Sequence, residues 1–152
     1  MSELHYQPIK VVIRQFEDLP MMGAFLQDAI CSISRMVYND QQFCLIGNRF
    51  CWEVPPTYAS EQPTYYRVHT QLIFDQVESV QHQGFQLSDP VRSLHFLTFW
   101  GEPGHIVLVF SNHCSIRLKT PQLQCWIQDI DEPWPTPSLP SHEEDEPDIL
   151  SA

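Results

Sequence analysis

Residues 26–53 have the sequence LQDAICSISRMVYNDQQFCLIGNRFCWE, and they contain the transitions that decide the fold. The segment closes an amphipathic helix, and residues 31–38 then have the composition of a strand. Asn39-Asp40-Gln41 supplies a turn, so a second strand over 42–52 is predicted to form a hairpin with the first. The segment ends in the cluster Asn48-Arg49-Phe50-Cys51-Trp52-Glu53, just before a proline-rich loop. This order predicts a sheet that carries a helix and presents the cluster at a strand end.

The chain has 152 residues, which fits one domain and a tail. Its formal net charge of −11 is unevenly distributed, because 8 of the 19 acids and no Lys or Arg lie in residues 129–152. The remaining bases are few and scattered, so the pattern argues against a nucleic-acid surface, which needs clustered positive charge. The acidic end is expected to be a solvated tail.

Cysteine usage and the N-terminus indicate a compartment. The N-terminus MSELHYQPIK lacks the apolar stretch of a signal peptide. No apolar run approaches the roughly 20 residues of a membrane helix. We therefore expect a cytoplasmic protein with free, mostly buried thiols and no membrane contact. The five cysteines contain no CxxC pair that would suggest zinc, and they are Cys31, Cys44, Cys51, Cys114 and Cys125.

The first third of the chain predicts a strand followed by a helix. Residues 9–16 alternate as a strand, and Glu17-Asp18 gives a helix start with Asp18 as a potential N-cap. Gly23 costs a helix about 1 kcal/mol relative to Ala, so it is expected to permit close packing on the sheet. The apolar face of this helix is Leu19, Met22, Leu26 and Ile30, spaced by three and four residues.

The rest of the chain is dominated by antiparallel strands. Residues 93–100 and 105–111 flank Gly101-Glu102-Pro103-Gly104, which is a strong hairpin signal. Thr120-Pro121 favours a helix start, and the apolar positions after it fit helical spacing, although strand alternation partly fits as well. The other predicted strands are 64–75, 77–82 and 114–119.

These elements predict a mainly β, α+β fold in a single domain. We expect a curled or barrel-like antiparallel sheet of about seven or eight strands, with one helix in the N-terminal half and one near the C-terminus. A pleckstrin-homology-like barrel would satisfy this order, but the fold by itself assigns no function. The domain is predicted to span residues 1–142, with a disordered acidic tail over 143–152.

Short pieces spread over residues 17–142 carry a family resemblance. In chain order they are Glu17-Asp18-Leu19, Leu26-Gln27-Asp28-Ala29, Asn48-Arg49-Phe50 with Trp52-Glu53, Ile116-Arg117-Leu118, Asp129, and Trp134, Thr136, Pro140 and His142. They resemble an uncharacterised bacterial family, catalogued as domain of unknown function 2948. The family brings no assigned activity, ligand or partner. The resemblance implies that residues 134–142 order against the body, whereas the richness in Cys, Gln and His and the acidic extension depart from the family's pattern.

The candidate binding residues are Arg49, Asn48, Trp52 and Arg117. On an extended strand Arg49 faces away from Asn48 and Trp52, so it is available to an acid on a neighbouring strand or to an anionic ligand. The simpler interpretation is a cross-strand ion pair that organises the sheet. The sequence contains no catalytic signature, phosphate loop or metal-ligand spacing, so no catalytic residue, metal ligand or cofactor is assigned.

Two functional hypotheses remain. The first is a non-catalytic cytosolic interaction module with a protein partner, and it rests on the aromatic content and the charged tail. The alternative is a small-molecule or anion-binding protein, or an enzyme, that uses Arg49 as its anion anchor. The chain is expected to be a monomer or a homodimer, since an uncovered strand edge would support a dimer.

Overall fold

A computed structural model describes residues 6–58, 61–89 and 91–137. Ten strands form within these residues, all paired antiparallel in one sheet. The predicted acidic tail and residues 138–142 lie outside the described part. The strands are β1 (Lys10–Ile13), β2 (Ile30–Asn39), β3 (Gln42–Phe50), β4 (Tyr65–Phe74), β5 (Ser79–Gln83), β6 (Ser93–Glu102), β7 (Gly104–Phe110), β8 (Cys114–Thr120), β9 (Cys125–Asp129) and β10 (Trp134–Thr136).

The helix of the described chain is α1 (Leu19–Leu26), and it follows a 3-10 turn at Phe16–Asp18. Asp18 precedes α1 as predicted, but its side chain makes no capping hydrogen bond. The helix ends before Ile30, which begins β2, because Asp28 adopts a φ of 66° that ends the helical path. Gly23 has the predicted packing role, since a Cβ there would lie 3.1 Å from Thr98 Oγ1 on β6.

The strand order is β1-β9-β4-β3-β2-β6-β7-β8-β5, and β10 pairs with β4. The sheet curls over its own inner face, because the rings of Phe74 on β4 and Phe99 on β6 lie 6.4 Å apart although β3 and β2 separate their strands. One apolar core fills the space enclosed by the curl. The sheet is not closed into a barrel, so β1 and β5 are its end strands.

The predicted C-terminal helix is wrong, and a strand takes its place. Cys125, Ile127 and Asp129 are turned inward and buried, whereas Trp126 and Gln128 lie on the other face. β9 pairs with β4 on one side and β1 on the other, and these two ladders satisfy the backbone groups that a helix would have bonded internally. The prediction of seven or eight strands was therefore too low, since β9 and the short β10 add to the eight expected.

Candidate functional site

Arg49 lies completely buried on β3, between two carboxylates. Its Nε donates to Asp129 Oδ1 at 3.0 Å and its Nη2 donates to Asp129 Oδ2 at 2.8 Å. Glu53 accepts one hydrogen bond from Nη1 at Oε1, at 3.1 Å, and one from Nη2 at Oε2, at 2.9 Å. Nη1 also donates to the Phe50 carbonyl at 3.4 Å. All five N–H groups of the guanidinium are therefore directed at protein acceptors.

Asp129 accepts three further hydrogen bonds, from two other parts of the chain. Thr70 Oγ1 on β4 donates at 2.7 Å, the Tyr6 hydroxyl at 2.7 Å and the backbone N–H of Ile9 at 2.9 Å. We call Arg49, Glu53, Asp129, Thr70 and Tyr6 the buried clamp. It joins β3, β4 and β9 to the segment that leads into β1, so its geometry is that of an internal tie.

The electrostatics of the buried clamp follow from its hydrogen bonds. Burial alone would raise the pKa of Asp129, but the bonds from Arg49, Ile9, Tyr6 and Thr70 hold it below its usual range. Burial would likewise lower the pKa of Arg49, and the bonds to Asp129 and Glu53 outweigh it and raise that pKa. The pKa of Tyr6 is raised by burial and by its bond to Asp129. The ion pair of Arg49 with Asp129 is therefore fully ionised at neutral pH.

A second group of residues lies on the opposite, outer face of β3 and β4 and includes the predicted Trp52. Phe50 is almost fully buried there, and the ring centroid of Trp52 lies 4.6 Å and that of Tyr65 lies 5.6 Å from it. The guanidinium of Arg67 lies 5.7 Å from the centre of the same Phe50 ring, within cation–π range. Trp134 on β10 is the register partner of Arg67 on the other side of β4. We call Phe50, Trp52, Tyr65, Arg67 and Trp134 the outer aromatic surface.

Arg67 is the charged centre of the outer aromatic surface. Its Nη1 donates to the carbonyl of Asn48 at 3.1 Å and to Asn48 Oδ1 at 2.9 Å. Among the described residues, its Nε and Nη2 make no hydrogen bond, and no carboxylate lies within 4.0 Å. Burial lowers the pKa of Arg67, and the more distant charge of Asp28 opposes that effect. Two edges of a half-buried cation are thus left to solvent or to a ligand.

His69 borders Arg67 two positions further along the same face of β4. Its Nδ1 lies 2.5 Å from Asp131 Oδ2, and its backbone N–H donates to Asp131 Oδ1 at 3.1 Å. Its ring centroid lies 4.6 Å from that of Trp134. Asp131 therefore fixes the orientation of the imidazole, and Nε2 is the ring nitrogen turned away from this carboxylate.

Arg117 is separated from the other predicted binding residues. It lies exposed on β8, in the half of the sheet formed by β6, β7, β8 and β5. The structure therefore brings Asn48 and Trp52 to one outer surface, places Arg49 beneath it in the buried clamp, and puts Arg117 elsewhere.

Comparison with known proteins gives one match. The family model described as "Protein of unknown function (DUF2948)" matches residues 9–142. The chain belongs to this family. Neither the curated proteins nor the solved structures contain a match to the chain. Some of the residues quoted above for DUF2948 come together: Arg49, Glu53 and Asp129 belong to the buried clamp, and Phe50, Trp52 and Trp134 belong to the outer aromatic surface.

Two further observations describe the site's setting. No helix in the described ranges is long and apolar enough to cross a membrane. Within the same residues, no group of three or more His, Cys, Asp or Glu is arranged to hold a metal ion.

Sequence reasoning missed Arg67 and the pair of His69 with Asp131. Arg67 occurs in YYRVHTQLIF, where it looks like one polar residue in a strand. Its importance comes from the register that sets Phe50 opposite Arg67 on β3 and Trp134 opposite it on β10. The available signal was the alternation of Tyr65, Arg67 and His69 against buried Val68 and Thr70, which marks an outward face with unusual composition.

Proposed function

We propose that this protein is a non-catalytic interaction module that binds a partner protein through the outer aromatic surface. The observation that supports the proposal is Arg67, a half-buried guanidinium over the ring of Phe50 that has no carboxylate within 4.0 Å among the described residues. A cation held in place by Asn48 and surrounded by aromatic rings is arranged to receive an acidic side chain. The partner is therefore expected to offer an Asp or Glu next to an apolar group.

The composition of the surface supports the same proposal. Tryptophan, tyrosine and arginine are the residues that contribute most binding energy at protein interfaces. Trp52 is 44% exposed although its ring packs on Phe50, so it offers a rigid apolar contact at low entropic cost. Tyr65 and Trp134 are half-buried at either side of Arg67. An open outer sheet face with these anchors suits a protein surface better than it suits an enclosed small molecule.

The alternative uses Arg49 as an anion anchor in a binding protein or an enzyme. Its geometry gives this alternative little support, because every N–H of Arg49 already has a protein acceptor. A ligand would have to displace Glu53, whose side chain is the more exposed of the two carboxylates at 25% against 1% for Asp129. We therefore place the interaction on the outer aromatic surface.

The proposal includes a reducing, cytosolic setting. All five cysteines lie in the described part of the chain and are unpaired. Buried free thiols are typical of proteins kept in reducing compartments. Whether the partner is another protein or a second copy of this chain is a question for the experiment.

Site-specific photo-crosslinking in cells tests the proposal. A photoreactive phenylalanine analogue placed at Trp52 should form one discrete adduct, identified by mass spectrometry. The same analogue at Val91, which is 89% exposed on another part of the molecule, is the matched control. Arg67→Ala should abolish the adduct formed at position 52, whereas Arg35→Ala, which removes an exposed arginine on β2, should not.

Each outcome is decisive. A partner adduct specific to position 52 and dependent on Arg67 supports the module, and an adduct of twice the chain mass identifies a second copy as the partner. Identical adduct patterns at positions 52 and 91, or no adduct at position 52, would overturn the proposal.

A further inference from the structure

A second surface, in the other half of the sheet, has a different chemistry. Two adjoining cavities lie along β5, β8 and β7, with volumes of about 630 Å³ and 320 Å³. Gln81 and Arg117 line both of them, so the two form one elongated depression. We call it the basic groove, and its outward polar residues are Ser79, Gln81, Gln83, His105, Ser115, Arg117 and Lys119.

The register of the strands arranges these residues in rows. Arg117 lies between Gln81 on β5 and Val107 on β7, and Lys119 lies between Ser79 on β5 and His105 on β7. Because successive residues of β8 alternate between the core and the outside, Ile116 and Leu118 are buried and the two cations point outward. Arg117 and Lys119 are two residues apart, so their Cα atoms are separated by about 6.6 Å along the strand.

Neither Arg117 nor Lys119 is paired with a carboxylate of another described residue. Among the described residues, no carboxylate lies within 4.0 Å of Arg117 or Lys119, and neither side chain makes a hydrogen bond. The acids near the groove lie at its end: Glu102 is 3.5 Å from His105, and exposed Glu78 precedes Ser79. This contrasts with Arg49, whose charge is balanced by two carboxylates.

We infer that the basic groove binds an extended segment of a partner protein that carries Asp or Glu at alternate positions. An extended chain places side chains i and i+2 on one face at the same spacing of about 6.6 Å as Arg117 and Lys119. The groove follows β8 from Ser115 to Lys119, and a depression that runs along a strand matches an extended chain better than a compact ligand. Gln81, Gln83 and Ser115 line it and supply the donors and acceptors that a peptide backbone requires.

The basic groove and the outer aromatic surface are different sites. The first uses outward residues of β5, β7 and β8, and the second uses β3, β4 and β10, so no residue is shared. The inference therefore does not depend on the proposed function, and the two fail or succeed separately.

Binding of synthetic peptides to the full-length protein, followed by fluorescence anisotropy, tests the inference. The probe is a labelled peptide in which glutamates alternate with serines. The control peptide has the same number of glutamates, spaced three residues apart by additional serines, which places neighbouring acids on opposite faces of an extended chain. The alternating peptide should bind more tightly, and its affinity should fall as salt is raised.

Two protein variants with equal charge loss separate the groove from general electrostatics. Arg117→Gln with Lys119→Gln should weaken binding of the alternating peptide about fivefold to tenfold, as expected for two solvent-exposed charge contacts. Arg14→Gln with Arg35→Gln removes two exposed cations outside the groove and should change the affinity less than about twofold. All four positions are exposed, so both variants are expected to fold, which circular dichroism checks.

The remaining outcomes overturn the inference. Equal losses in the two double variants, or equal affinity for the two peptides, would show nonspecific attraction. No binding at millimolar peptide would exclude the site. A peptide copied from residues 141–148, SHEEDEPD, is the last competitor. If it binds the groove more tightly than the alternating peptide, the occupant is the chain's own acidic segment and the assignment to a partner is wrong.

Discussion

Arg49 and Asp129, eighty residues apart in the sequence, form a two-pronged ion pair with 0% and 1% of their side chains exposed. The contacts measure 3.0 Å from Nε to Oδ1 and 2.8 Å from Nη2 to Oδ2. β4 separates the strands that carry them, and its Thr70 donates to the same carboxylate. The pair therefore fixes three neighbouring strands relative to one another from beneath the outer aromatic surface.

Removing one partner of this ion pair should be strongly destabilising. Asp129→Asn leaves the Arg49 cation buried with less compensation, so the free energy of unfolding should fall by about 3–5 kcal/mol. The double variant Arg49→Met, Asp129→Leu should lose much less than the sum of the two single changes, because neither fully buried charge of the pair is left without its partner. Urea unfolding measures the wild type, Asp129→Asn, the single variants Arg49→Met and Asp129→Leu, and the double variant.

Glu53→Gln provides the control for that series. Glu53 bonds the same guanidinium, but its side chain is 25% exposed, so its loss should reduce the free energy of unfolding by about 1 kcal/mol or less. An Asp129→Asn variant that is no less stable than Glu53→Gln would contradict the assignment of Asp129 as the main partner of Arg49.

Acid should weaken the fold through the carboxylate of Asp129. The pKa of Asp129 is lower in the folded protein than in the unfolded chain, so the folded state resists protonation. Its contribution is complete above the unfolded pKa of about 3.9 and is lost as the pH falls through the folded pKa. The free energy of unfolding should therefore drop more steeply below about pH 4 in the wild type than in Asp129→Asn. Asp89→Asn, which removes an exposed carboxyl, is the matched control for the loss of one acid.

Local sequence patterns predicted most of the strands because each contains its own alternation or turn. The hairpin of β6 and β7 turns at Gly104, whose φ of 106° suits glycine. The prediction of a helix at β9 was wrong for the opposite reason, because this segment has no decisive local pattern. Its five residues fit both periods, and the choice was made by β1 and β4, which are distant in sequence. Closure also depends on long-range geometry, and the sheet stays open between its end strands.

The sequence predicted those features of the candidate site that depend on a single strand, and not those that depend on contacts between strands. Alternation alone predicted that Asn48 and Arg49 face opposite sides of β3. The identity of the acid beside Arg49 could not be predicted, because Asp129 approaches across β4. The outward cation likewise comes from another strand, since Arg67 reaches Phe50 only through the pairing of β3 with β4.

Cys44 should be the reactive thiol of the native protein. It is partly exposed on the outer face of β3, whereas Cys31, Cys51, Cys114 and Cys125 are buried. Burial raises the pKa of all five thiols, to about 12 for Cys31 and Cys51. The four buried thiols are therefore expected to react only when the fold opens locally.

A disulfide reagent at pH 8 should therefore modify one thiol rapidly and the others more than about a hundredfold more slowly. Cys44→Ser should eliminate the fast phase. A fast phase that persists in this variant would show that a thiol assigned to the core is accessible.

Two glycines with positive φ should respond differently to the same substitution. Gly84 has φ of 91°, and a Cβ there would lie 2.5 Å from the His113 carbonyl oxygen, so Gly84→Ala combines backbone strain with a clash against backbone. Gly104 has φ of 106° with nothing within 4 Å of the added carbon, so Gly104→Ala carries strain alone. We expect Gly104→Ala to destabilise the fold by about 1–2 kcal/mol. Gly84→Ala should cost about 1–3 kcal/mol more than Gly104→Ala, because of the added clash. Thermal unfolding of the two variants side by side measures the difference, and equal melting temperatures would contradict the close approach of the loop after β5 to the turn before β8.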